Sequence, residues 1–206
     1  MKDLIVLAAD KPMKLMLEAL LGRTAKLGVR AMSFEVDVHP GRDSGVYRYA
    51  HDFLRGKFLL TEYRYALAVC DHDGTGKEGL SREKLEQDIE GRLHINGWEN
   101  RASAIVIDPE LESWVWGDWA VTSQALGWKT SPSLREWLLG QALLGADRAK
   151  PYKPKEAFLF AARYARKPES SAIHQQIATQ ARFENCTDPA FLKMKSVLQN
   201  WFPVAT

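Results

Sequence analysis

Residues 67–76 read LAVCDHDGTG: four apolar positions run into Asp71, His72 and Asp73, and the stretch closes on Gly74 and Gly76. A short apolar run without polar alternation predicts a strand covered on both faces, here 63–70 (YRYALAVC), as in a parallel sheet. Side chains at i and i+2 of a strand share a face, so Asp71 and Asp73 are expected to point together and His72 away from them. The glycines permit positive φ or a close approach of backbone to a ligand.

Working outward, the flanking sequence repeats this pattern. Leu4–Ala9 is a second continuous apolar run. Residues 31–41 (AMSFEVDVHPG) alternate Phe34, Val36 and Val38 with Glu35, Asp37 and His39, then stop at Pro40-Gly41, as a half-buried strand does. Residues 102–108 (ASAIVID) read as a fourth strand. Helical spacing fills the intervals: Met13, Met16, Leu17, Leu20 and Leu21; Val46, Tyr49, Phe53 and Leu54 within 45–60; and Leu85, Ile89 and Leu93 after Ser81 as N-cap. Strands alternating with helices require crossover connections, so the fold class is α/β with a mainly parallel sheet flanked by helices. Beyond Trp119 the patterns are helical: 131–144, 154–167, 170–183, and 188–202 with Asp188 as cap and Pro189 in its first turn. The expected organisation is an α/β domain, 1–119, with a helical C-terminal lobe, 120–206, packed on it.

Composition narrows the classes. Cys70 and Cys186 lie far apart in sequence and form no disulfide framework, which fits a reducing, cytoplasmic setting. The opening MKDLIVLAAD has an acid at Asp3 and an apolar run too short for a secretion signal or a membrane span. Residues 119–206 carry 12 Lys and Arg against six Asp and Glu, whereas residues 1–118 carry 16 against 20. That asymmetry suits a metal site beside a polyanion-binding surface, and equally ordinary surface charge on two lobes. Zinc spacings, a Gly-x-Ser-x-Gly elbow, a Walker loop and a dinucleotide fingerprint are all missing from the sequence.

Three motifs compete for DHDGTG. On a calcium EF-hand loop, Asp71, Asp73, Thr75 and Gly76 fit, but Glu78 stands where an apolar residue belongs and Arg82 where a bidentate Glu belongs. DHDGT also resembles the nucleophile motif of the haloacid-dehalogenase phosphatases. That motif belongs on a first strand and needs a later acidic Gly-Asp element, which Gly117-Asp118-Trp119 does not supply. Third, Asp71, Asp73 and Gly76 resemble the Asp-x-Asp-x-x-Gly element of the TOPRIM fold, shared by topoisomerases, primases and OLD-type nucleases of phage defence. A first strand ending in an acid, Asp10, matches that context, although the family normally has Glu there. Residues 107–119 (IDPELESWVWGDW) are similar to a Glu-x-Glu-x-Trp stretch in small TOPRIM-like proteins encoded beside methylation-associated defence genes.

The resemblance implies a Mg²⁺ or Mn²⁺ site at Asp71 and Asp73 with Asp10, completed by Glu112, and phosphodiester cleavage of DNA or RNA in an anti-phage system. It equally allows a non-catalytic metal- or nucleotide-binding subunit of a defence complex. The physical expectation agrees: acids at the carboxyl ends of neighbouring parallel strands are close enough to share a cation. Gly74 and Gly76 would approach the ligand, and Arg42 and His39, in the turn HPGRDSG, would hold phosphate or metal. Asp10 and Asp43 are alternatively helix caps, and Glu110 and Glu112 the acidic start of a helix. Trp114, Trp116 and Trp119 are expected in the core, and His51, His94 and His174 on the surface. Lys150, Lys153, Lys155, Arg163, Arg166 and Lys167 form a basic cluster, with Arg163, Arg166 and Lys167 on one helical face.

Overall fold

The structure, a computed structural model, describes residues 1–57, 60–168, 170–183 and 186–204. Its elements run β1 (Lys2–Ala8), α1 (Lys11–Leu21), α2 (Thr24–Leu27), β2 (Phe34–Val38), α3 (Arg42–Lys57), β3 (Tyr63–Asp71), α4 (Arg82–Leu93), β4 (Ala102–Ile107) and α5 (Glu112–Val115). They continue as α6 (Trp119–Ala125), α7 (Leu134–Gly140), α8 (Pro154–Tyr164), α9 (Ser171–Gln180) and α10 (Pro189–Trp201). The end of the helix expected over 45–60 includes Phe58 and Leu59, which lie outside the described residues.

The fold is α/β. Among the described residues a four-stranded sheet runs in the order β2-β1-β3-β4, and every pairing is parallel. Central β1 and β3 are the apolar runs: Leu4–Ala8 and Ala66–Cys70 are fully buried. β2, at one edge, keeps the alternation, with Val36 buried and Glu35 exposed. Helix starts follow the sequence. Asp10 accepts from the Met13 amide (2.9 Å), Ser81 from the Lys84 amide (3.3 Å), and Asp188 from those of Ala190 (3.1 Å) and Phe191 (3.2 Å).

The C-terminal helices pack directly on this layer. α9 lies along α1, α10 contacts β4, and buried residues on both sides of position 119 belong to one hydrophobic cluster. The outer edge of β4 is closed by side chains. Glu86 Oε1 accepts the Val106 amide (3.0 Å), and Glu90 Oε1 accepts those of Ala104 (2.9 Å) and the Ser103 hydroxyl (2.7 Å). Lys193 of α10 donates to both carboxylates. An edge strand otherwise presents unpaired amides to other chains, and this carboxylate ladder removes that template.

Trp114 and Trp116 are buried as expected; their indole N–H groups donate to Asp188 Oδ1 (2.9 Å) and the Pro154 carbonyl (3.0 Å). Asp188 therefore caps α10, satisfies a buried tryptophan and pairs with Lys150 at 3.2 Å. Replacing Asp188 by Ala should destabilise the protein by about 2–4 kcal/mol, since a cap and a buried N–H lose their partner together. Calorimetry should show a clear fall in Tm for Asp188→Ala and almost none for the exposed Glu83→Ala.

Candidate functional site

In open parallel sheets ligands bind beyond the carboxyl ends of the strands, where the winding reverses. Here the chain winds from β1 to β2 on one side and through β3 to β4 on the other, so the reversal lies between β1 and β3. Ala8 pairs with Val69 in that register; β3 continues two residues to Asp71, and Asp10 follows the end of β1 by two.

Asp71 is the last residue of β3 and is 8% exposed. Its backbone N–H donates to Asp43 Oδ1 (2.8 Å), while its own Oδ1 is buried without a hydrogen-bond partner. Burial first, then the negative charges of Asp43, Glu112 and Asp10, push the Asp71 carboxyl well above the usual carboxylate range; Lys155 opposes them. Asp43 is raised by the same causes, burial first, with Asp10 as the repelling charge. Asp10 is thus both things the sequence allows, a cap for α1 and a member of the acidic group. Gly74 belongs to the same packing: its φ is 95°, and a Cβ there would lie 3.3 Å from Asp43 Oδ2.

The other wall comes from the C-terminal half. Glu112, in the first turn of α5, accepts from His174 Nε2 of α9 at 3.0 Å, and its second oxygen, Oε2, is buried and unpartnered. Burial alone would raise the Glu112 carboxyl; the His174 hydrogen bond and charge, with Lys155, outweigh it and hold the carboxyl low. Glu110 Oε1 accepts the Lys155 amide (2.7 Å) and so caps α8. The Lys155 side chain is exposed at the start of α8; burial works against its charge, but Glu112, Asp71, Glu110 and Asp10 raise its pKa. The result is a carboxylate rim of Asp10, Asp43, Asp71, Glu110 and Glu112 against Lys155 and His174.

Asp43, His174 and Lys155 were not expected in the site. Asp43 stood in the quoted turn HPGRDSG, but nothing in its spacing shows that it reaches an amide 28 residues away. His174 was expected on the surface; it is 4% exposed, against Glu112 and the ring of Phe158. His51 is half-buried rather than exposed, and its Nδ1 is buried without a partner.

Other expectations are corrected. β3 ends at Asp71, and His72–Gly76 is a turn in which the Thr75 hydroxyl donates to the His72 carbonyl (2.9 Å). The strand alternation therefore stops before Asp73, whose side chain is 60% exposed. The Gly74 and Gly76 amides do not open toward a ligand: both donate to Glu78 Oε1 at 3.0 Å. His39 Nδ1 accepts the Gly41 amide (2.9 Å), and its ring packs on Phe53 of α3. The close fit beneath it requires Gly45, where a Cβ would lie 2.2 Å from Nδ1. β2 borders β1, not β3, so the turn after it meets the rim through Asp43, with Arg42 exposed beside it. α8 stops at Tyr164 and Arg166 has φ 52°, so Arg163, Arg166 and Lys167 share no helical face.

The competing motifs also meet the fold. The acidic turn follows a strand, not the helix an EF-hand requires, and Arg82 is paired with Glu83 and Glu86. Asp118 caps α6 and accepts the Arg182 amide (3.2 Å), away from the rim. Among the described residues no group of three or more His, Cys, Asp and Glu side chains is arranged to hold a metal ion.

The raised Asp71 carboxyl sets a pH dependence. Between its unfolded value near 3.8 and its higher folded value, the native state holds a proton that the unfolded chain has lost. Stability must then fall as pH rises through that window. In metal-free buffer Asp71→Asn should melt above the wild type at pH 8, with the gain shrinking as pH approaches 4; a gain independent of pH would contradict this assignment. No family model, curated protein or solved structure matches the chain.

Proposed function

We propose that this chain is a metal-dependent phosphodiesterase acting on DNA or RNA, with Mg²⁺ or Mn²⁺ taken up at Asp71 and Asp10 beside Asp43 and Glu112. One observation carries the proposal: Asp71 is buried at the switch point with an unpartnered oxygen, under the charges of three more carboxylates. Protein interiors do not gather like charges at a sheet's ligand-binding edge without something to relieve them. The all-oxygen donor set suits a hard cation, and Mg²⁺ typically takes one or two carboxylates, filling its remaining positions with water and phosphate oxygens. Among the described residues, Asp71 Oδ1 is a buried, unpartnered oxygen that fits such an ion, and Glu112 Oε2 is a second buried oxygen, free to take a proton.

When bound, the ion supplies acidity to a coordinated water and offsets charge developing on the phosphoryl group. The protein's own residues do the rest. Glu112, oriented by His174, is the base that takes a proton from the attacking water. Lys155 is the fixed cation that stabilises extra charge on phosphate oxygens. Arg42 and the exposed basic residues of 150–167 hold the polyanion. The TOPRIM resemblance of Asp71–Gly76 supports nucleic acid as substrate, and the placement in anti-phage defence rests on that resemblance.

A second reading, a non-catalytic accessory subunit, is favoured by the Gly74 and Gly76 amides being engaged by Glu78. Titration with Mn²⁺ and incubation with plasmid DNA and RNA separate the two. Asp71→Ala should lower cleavage by about 100-fold or more, the order lost with a charge-stabilising group, whereas Asp73→Ala should change it little. Mn²⁺ binding without turnover selects the accessory reading; failure to bind Mn²⁺ overturns the phosphodiesterase.

A further inference from the structure

A cavity of about 540 Å³ opens between the N-terminal ends of α1 and α9, lined by Lys11, Pro12, Leu15, Ser170, Ser171 and His174. It borders the carboxylate rim through two residues. Asp10 caps the helix that Lys11 begins, and His174 holds Glu112.

Its chemistry is opposite to that of the rim. α1 has 11 residues and α9 has 10, long enough for each N-terminus to carry partial positive charge. Lys11 adds a full charge and Ser171 a hydroxyl in the first turn of α9. None of the described residues that line the cavity is a carboxylate. The independent observation is His174. Its Nε2 is engaged by Glu112, while Nδ1 is buried without a partner in a residue 4% exposed that lines this cavity. A buried polar atom left unsatisfied is costly, and native interiors give such atoms partners. A phosphate group of either ester type satisfies this nitrogen when the ring is charged, and a phosphomonoester also when it is neutral. Its oxygen accepts from an imidazolium N–H, and a phosphomonoester O–H donates to a neutral ring. A cation would be repelled by Lys11 and by the end of α9, and an apolar group would leave Nδ1 unmet.

We propose that this cavity is a phosphate-binding subsite that seats a phosphate group of the nucleic-acid substrate next to the carboxylate rim. The proposal deepens the phosphodiesterase reading and rests on it for the identity of the substrate. It assigns the positively polarised end of α9 to substrate positioning and makes His174 a bridge between bound phosphate and Glu112.

The test uses the full chain in metal-free buffer, titrated calorimetrically with inorganic phosphate. Wild-type protein should bind saturably. Lys11→Glu and Ser171→Asp, which put negative charge at the two helix ends, should each weaken binding about tenfold or more. In ¹⁵N-histidine spectra, phosphate should shift the ring signal that His174→Gln removes. Asp71→Asn should lose Mn²⁺ binding yet keep phosphate binding, so failure of the metal centre and failure of this subsite are read separately. Comparing a 5′-phosphorylated oligonucleotide with its 5′-hydroxyl form identifies the source. Preference for the former assigns a terminal phosphomonoester, and equal binding lost in Lys11→Glu assigns an internal phosphodiester. Absence of saturable phosphate binding, or wild-type affinity in both charge variants, overturns the proposal.

Discussion

Asp71 is held where a carboxylate is least comfortable. β3 is fully buried from Ala66 to Cys70, and its pairing with β1 and β4 fixes the position of the residue that follows. The Asp71 amide is tied to Asp43, which fixes the backbone there and holds the Asp43 carboxylate close to it. An unsatisfied buried acceptor costs about 1–3 kcal/mol, and more when charged. The sheet supplies that energy through apolar burial. The rim is therefore a place where stability is given up to hold charge in a defined position, a pattern associated with functional sites.

The C-terminal helices make that rim possible. α8 brings Lys155 and the amide that Glu110 caps, α9 brings His174 to Glu112, and α10 brings Lys193 to the carboxylates that close β4. Part of the charge asymmetry between the two halves is consequently spent inside the molecule. Lys155 and Lys193 face acids of the first 118 residues. Separated from these helices, the α/β part would expose α1, the edge of β4 and the unneutralised acids together.

The α/β class, the four strands and the helix caps were legible because each is a local property. Apolar runs, alternation, Asp or Ser before a helix and Pro in its first turn act within a few residues of themselves. Asp10 and Asp71 were legible as partners for one further reason: acids at the carboxyl ends of adjacent parallel strands must lie near one another. Asp73 misled because alternation was carried past the end of the strand. Turn geometry, fixed by Thr75 and Glu78, replaced it. Glycines read as ligand-approach points proved to be points of approach for Asp43 and Glu78.

The sequence by itself determined the parallel sheet and the acidic ends of β1 and β3, because periodicity and strand-end chemistry are written in neighbouring residues. Tertiary structure alone decided that Asp43, Glu112 and Lys155 act on Asp71, that His174 holds Glu112, and that Asp73 is left exposed in a turn. Those encounters join residues up to about a hundred positions apart. Their geometry follows from strand order and from how helices dock on the sheet, for which no local pattern of residues stands as a sign.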